Sequence, residues 1–74
     1  MPRFYFDIRE SSETTPDDEG MELADIDAAE REAMRSITSM GRDFESPQTI
    51  AIDIRDQNAQ RVSTVKLELK IERV

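Results

Sequence analysis

The chain has 74 residues, enough for one small domain with a single core. Charged residues make up 36% of it, the formal net charge is −7, and Leu, Ile, Val and Phe together number only sixteen. With no Cys and no His, disulfides, thiolate or imidazole metal sites, Cys or His nucleophiles and His-based relays are all excluded.

Ordering a chain of this size costs on the order of 100 kcal/mol, so almost every apolar side chain has to be well placed. Residues 3–9 alternate strictly. Phe4, Phe6 and Ile8 share one face, with Arg3, Tyr5, Asp7 and Arg9 on the other, which predicts a half-buried strand. Glu10 to Pro16 is polar and rich in Ser and Thr, a connection with no core residue. Asp17-Asp18-Glu19-Gly20 is turn chemistry, and Met21-Glu22-Leu23 offers a short second strand with Met21 and Leu23 inward.

Asp25 is placed as an N-cap, with Asp27 favourable at the positive end of the helix that follows. Ile26, Ala29, Ala33, Ile37, Met40 and Phe44 recur at steps of three and four, with charged residues between them. The spacing predicts one amphipathic helix of about five turns, ending near Phe44 and before Pro47. Thr49 to Arg55 alternates again with Ile50, Ile52 and Ile54 inward. A turn at 56–60 leads to a last strand whose inward residues are Val65, Leu67, Leu69 and Ile71. Val62 is out of phase with these, so a β-bulge near Ser63-Thr64 is expected to return it to the core face. The expected fold is α+β, ordered β-β-α-β-β. One amphipathic helix covers one face of a four-stranded antiparallel sheet of order 2-1-3-4.

Charge is distributed unevenly. Glu10, Glu13, Asp17, Asp18, Glu19, Glu22 and Asp25 follow one another without an intervening base. Such a surface repels nucleic acid, whose affinity depends on clustered Lys and Arg. It suits a basic protein partner, for which Glu13, Asp17, Asp18, Glu19 and Glu22 are the candidate residues; the simpler role is keeping a small domain soluble. The same acids do not have calcium-loop spacing. Asp56-Gln57-Asn58 begins such a loop but lacks its sixth-position Gly and twelfth-position Glu. Gly20 and Gly41 are isolated, so no phosphate-cradling loop exists, and paired carboxylates would need a pocket for acid–base work. Neither metal nor cofactor is expected, nor is enzyme activity. No apolar run approaches the roughly 20 residues of a membrane span, and the opening residues are unlike a signal peptide, so a cytoplasmic location is expected.

The final strand suggests a second kind of contact. If two copies met antiparallel about Leu69, Lys66 would face Glu72, Glu68 would face Lys70, and Leu67 would face Ile71. A homodimer through this strand is therefore expected, the alternative being an edge kept soluble by its alternating charges.

The opening Met1-Pro2-Arg3-Phe4-Tyr5-Phe6-Asp7-Ile8-Arg9, the segment Asp18-Glu19-Gly20-Met21-Glu22-Leu23-Ala24-Asp25 and the run Ala28-Ala29-Glu30-Arg31-Glu32-Ala33 form a recognisable combination. It resembles a family of small bacterial proteins, common in rhizobia and their relatives, that begin Pro-Arg-aromatic-aromatic-Phe. That family is a domain of unknown function, so the resemblance transfers no functional residue. Many relatives have Gly in the last hairpin turn, where this chain has Asn58 and Ala59. The short strand after Gly20 and the Ala-paired helix are also similar to the HicB-type antitoxin fold, which packs one helix on a small antiparallel sheet. The expected function is a non-catalytic protein-interaction or regulatory module. An antitoxin-like protein neutralising a basic partner is the alternative, and a small-ligand binder or minimal enzyme the second.

Overall fold

The alternating segments pair as strands around the helix in a computed structural model that describes all 74 residues. The elements are β1 (Arg3–Glu10), β2 (Glu13–Thr15), β3 (Met21–Glu22), α1 (Ile26–Gly41), β4 (Gln48–Arg55) and β5 (Arg61–Leu69). All pairings are antiparallel. The order is β2-β1-β4-β5, with β3 also pairing to β1, so the class is α+β as expected.

The strand count differs from the expected four. Glu13–Thr15, taken as a connection, turns back at Ser11-Ser12 and pairs with Ile8–Glu10. Ser11 enters the left-handed region (φ 49°) to make that turn. β3 then pairs with Arg3 and Phe4. The predicted second strand is thus β3, β2 is an additional one, and the two cover opposite ends of the same edge of β1.

Asp25 caps α1 as its position suggests: its side chain accepts the N–H of Ala28 at 2.9 Å. The α-helix stops at Gly41, three residues earlier than its apolar stripe predicts. Beyond it the chain tightens, with N–H groups of Arg42, Asp43 and Phe44 donating to carbonyls three residues back. Those tighter turns still carry Phe44 onto the edge of the core. Only eight residues are fully buried: Phe4, Ala29, Ala33, Ile37, Ile50, Ala51, Ile52 and Ile54. All but Ala51 form one cluster between α1 and the sheet, and Phe6, Ile8, Leu23, Ile26, Met40, Phe44, Val65 and Leu67 pack around it. Ala29 and Ala33, small enough to let the helix approach closely, face the large Ile side chains of β4.

The bulge exists, but Val62 is the residue it expels. Ile52 faces Val65, Ile54 faces Ser63, and the register slips before Arg55 meets Arg61. Val62 is left 44% exposed. The inward place goes to Ser63, whose hydroxyl donates to Glu30 Oε2 of α1 at 2.6 Å. The turn from β4 to β5 is built by Asp56, whose Oδ1 accepts the N–H groups of Asn58 and Gln60. The Ala59 N–H donates to the Asp56 carbonyl, and Ala59 itself lies at φ 63°, a conformation glycine adopts without steric cost. Ala59→Gly is therefore expected to raise stability by about 0.5–1 kcal/mol, relief of strain outweighing the added freedom of the unfolded chain. A lower urea midpoint for the variant would contradict this account of the turn.

Candidate functional site

The outer face of the sheet, opposite α1, carries the alternating polar residues of β1 and β4. Their register sets Asp7 directly opposite Asp53, a repulsive pair by itself. The neighbouring arginines resolve it by crossing between strands. Arg55 donates from Nε to Asp7 Oδ2 at 2.6 Å and from Nη2 to Oδ1 at 3.1 Å. Arg9 mirrors this on Asp53, with bonds of 3.1 and 3.0 Å. Thr64 of β5 also donates to Asp53 at 2.8 Å. The Arg55 guanidinium lies 4.9 Å from the centre of the Tyr5 ring.

Asp17 binds this face to the margin of β1. Between β2 and β3 no strand accompanies the middle of β1, and there the N–H of Phe6 donates to Asp17 Oδ2 at 3.0 Å. The other oxygen, Oδ1, accepts the N–H groups of Glu19 and Gly20 at 3.0 and 3.1 Å. The backbone N–H of Asp17 donates to Asp7 Oδ1 at 2.9 Å, and its carbonyl accepts from Arg55 at 3.0 Å. One residue thus does for β1 what a paired strand would. Gly20 completes the turn at φ 70°; a Cβ there would lie 2.8 Å from the Phe4 carbonyl oxygen and 2.9 Å from the Tyr5 ring. Arg3 fastens the other side, donating to the Glu19 carbonyl at 2.8 Å and to Glu22 Oε1 at 3.2 Å.

These bonds set the protonation of three carboxyls. The Arg55 hydrogen bonds hold Asp7 below its ordinary pKa against the opposing effect of burial. Asp53 is held down likewise, first by Arg9. At Asp17 burial is the largest single influence and acts upward. The N–H donors of Phe6, Gly20 and Glu19, with the charge of Arg55, outweigh it and leave the pKa lowered. Asp7 and Asp17 are recruited by the fold, and no acid–base pair opens onto a cavity.

The proposed partner-binding residues are therefore divided. Glu13, Asp18 and Glu19 point into solvent, and their carboxylates make no ion pair. Glu22 is exposed and bridged to Arg3, whereas Asp17 is half-buried within its hydrogen bonds. Sequence reading placed Tyr5, Asp7 and Arg9 on one face of β1 but missed the Asp7–Arg55–Asp17 junction. A signal was present: an eight-residue strand flanked by a short partner needs an acceptor for its unaccompanied N–H.

At the opposite margin β5 pairs with β4 on one side and with nothing on the other. The ladder ends at Gln48 facing Leu69, and residues 70–74 run on outside it, exposed. The five proposed dimer-edge residues, Lys66, Glu68, Leu69, Lys70 and Glu72, are all exposed. Leu69 is 45% and Ile71 66% exposed. Beside this edge lies a groove of about 310 Å³, lined by Thr38, Gly41, Arg42, Phe44, Leu67, Glu68 and Leu69. The end of α1, its following turn and β5 supply all of its lining. Gly41 lets the end of α1 approach β5 here, because a side chain there would run into Leu67 Cδ2.

A family model described as a domain of unknown function (DUF6894) matches residues 3–68. Neither a curated protein nor a solved structure matches the chain.

Proposed function

The chain belongs to this family of unknown function, and we propose that it is a small, non-catalytic protein-interaction module of the cytoplasm, assembling through the free edge of β5. One observation carries the reading: a nine-residue strand has a neighbour on one side only, while Leu69 and Ile71 stay exposed where it leaves the ladder. Unpaired strand edges recruit extended chain by main-chain hydrogen bonding, and apolar side chains at alternate positions give such pairing its register. Against a catalytic role stands the use of every depressed carboxyl as a structural acceptor for Arg or backbone N–H. No helix is long and apolar enough to cross a membrane.

The margin beyond β1 supports a second contact, with a basic protein. Glu13, Asp18 and Glu19 stand unpaired along it, on a backbone that Asp17 and Arg3 hold in place. Site-specific photocrosslinking in the native host tests both surfaces. Probes at Ile71 and at Thr14 of β2 are expected to trap protein, and a probe at Asn58 in the exposed turn to trap none. Trapping at Thr14 should fall with added salt and with Glu13→Gln, Asp18→Asn and Glu19→Gln combined. Equal yields at Ile71 and Asn58 would overturn the edge reading. Salt-independent trapping at Thr14 would overturn the basic partner.

A further inference from the structure

The edge reading leaves its occupant open, and we infer that the occupant is a second copy of the chain, whose Ile71 fills the groove between α1 and β5. The inference rests on the β5 edge being an assembly surface and adds its partner and geometry.

A two-fold axis through an antiparallel strand pair must pass at one residue or between two. Placing it at Leu69 pairs the residues symmetrically about that position. On the outer face Lys66 then meets Glu72 of the second copy, and Glu68 meets its Lys70. On the helix face Leu67 meets Ile71, and Leu69 meets its own equivalent. Directly opposed side chains in such a pair lie about 5 Å apart on the same face of the sheet. Every outer pair is oppositely charged and every one of these inner pairs is apolar. The match is specific to the register, since moving the axis by one residue, to Lys70, sets Glu68 against Glu72 and Lys70 against itself.

The structure adds an observation independent of that pattern. Ile71 of the second copy, standing opposite Leu67, lies just beyond the free edge of β5 and on its helix side. The groove lined by Gly41, Phe44, Leu67 and Leu69 borders that same Leu67 side chain. Two grooves and two Ile71 side chains exchange across the axis. Residues 70–72, which have no β4 residue to pair with, gain a partner along their whole length. In one copy alone, Lys70 makes only a loose exposed contact with Glu68, 3.9 Å apart.

Sedimentation equilibrium on the purified chain at tens of micromolar, a range chosen for a roughly micromolar affinity, is expected to show a dimer. Ile71→Glu is expected to give a monomer with an unchanged circular dichroism spectrum, because Ile71 is exposed and outside the ladder. Glu68→Lys places like charges opposite each other twice across the axis, which should weaken the dimer about tenfold. Adding Lys70→Glu to Glu68→Lys restores both pairs and should restore dimerisation. A monomeric wild-type chain overturns the second copy. So does a dimer indifferent to Ile71→Glu, or one whose Glu68→Lys loss is not recovered by the charge swap. A monomer that still crosslinks another protein from position 71 would retain the edge as an interaction surface and reject only this occupant.

Discussion

Ile37→Ala is expected to destabilise the chain by about 2–5 kcal/mol, the range for truncating a large aliphatic side chain in a packed core. Ile37 is 4% exposed and lies in the same cluster as Phe4, Ile50, Ile52 and Ile54. With only eight buried residues, no second layer of core exists to absorb the cavity. Domains of this size have total stabilities near the lower end of about 5–15 kcal/mol, so the loss brings the variant close to unfolding at 25 °C. Thermal melts should show a fall of at least about 8 °C, since each kcal/mol moves a small domain by about 4–8 °C. Met34, 56% exposed on the same helix, supplies the comparison: Met34→Ala should change stability by no more than about 0.5 kcal/mol. Equal effects at the two positions would place the buried face of α1 elsewhere.

Asp17→Asn is expected to cost about 2 kcal/mol although the substitution removes no packing volume. The carboxylate presents acceptors on both sides, to the Phe6 N–H and to the N–H groups of Glu19 and Gly20. An Asn amide has one accepting and one donating end, so either orientation sets its NH2 against backbone donors. The same substitution should alter the response to acid. Asp7, Asp17 and Asp53 have pKa values lowered in the folded chain, whereas in the unfolded chain they titrate near 4. The unfolded chain therefore binds more protons in that interval, and stability rises with pH. The three contributions are complete above about pH 4 and disappear as pH falls through the lowered folded values. Urea unfolding between pH 2 and pH 6 should show this loss in the wild type and a shallower one in Asp17→Asn. Wild-type stability and slope in the variant would remove Asp17 from the support of β1.

The parts of the fold that were legible in the sequence are those where burial follows a simple period. β1 and β4 alternate because one face of each meets the core, and α1 begins where Asp25 can satisfy free N–H groups. β2 was not legible. Its three residues, Glu13, Thr14 and Thr15, are all exposed and pair through backbone alone, so no side-chain pattern records them. Val62 illustrates a different failure. Hydrophobicity favoured placing it inside, yet Ser63 took the inward place with a hydrogen bond to Glu30, a partner thirty-three positions away. The end of α1 was misplaced because the tighter turns after Gly41 preserve the apolar stripe to Phe44 without continuing the α-helix. In the candidate site, acidity between residues 10 and 25 was visible, but the division of labour within it was not. Which carboxylate is used by the fold depends on which N–H of β1 lacks a strand partner, a matter of register.

The two margins of the sheet also decide how far assembly can proceed. A sheet with two open edges accepts a neighbour on each side, and every addition exposes a new edge, which is how strand-paired polymers lengthen. Here the β1 side is terminated: β2 and β3 offer three and two residues, and the gap between them is closed by a carboxylate that cannot be part of a repeating ladder. The β5 side is the only long edge, and in a two-fold pair it is consumed from both copies at once. In such a pair growth would stop at two chains. Asp17 would then act as a chain terminator for the sheet, and replacing it would favour fibrous aggregates as well as a less stable monomer.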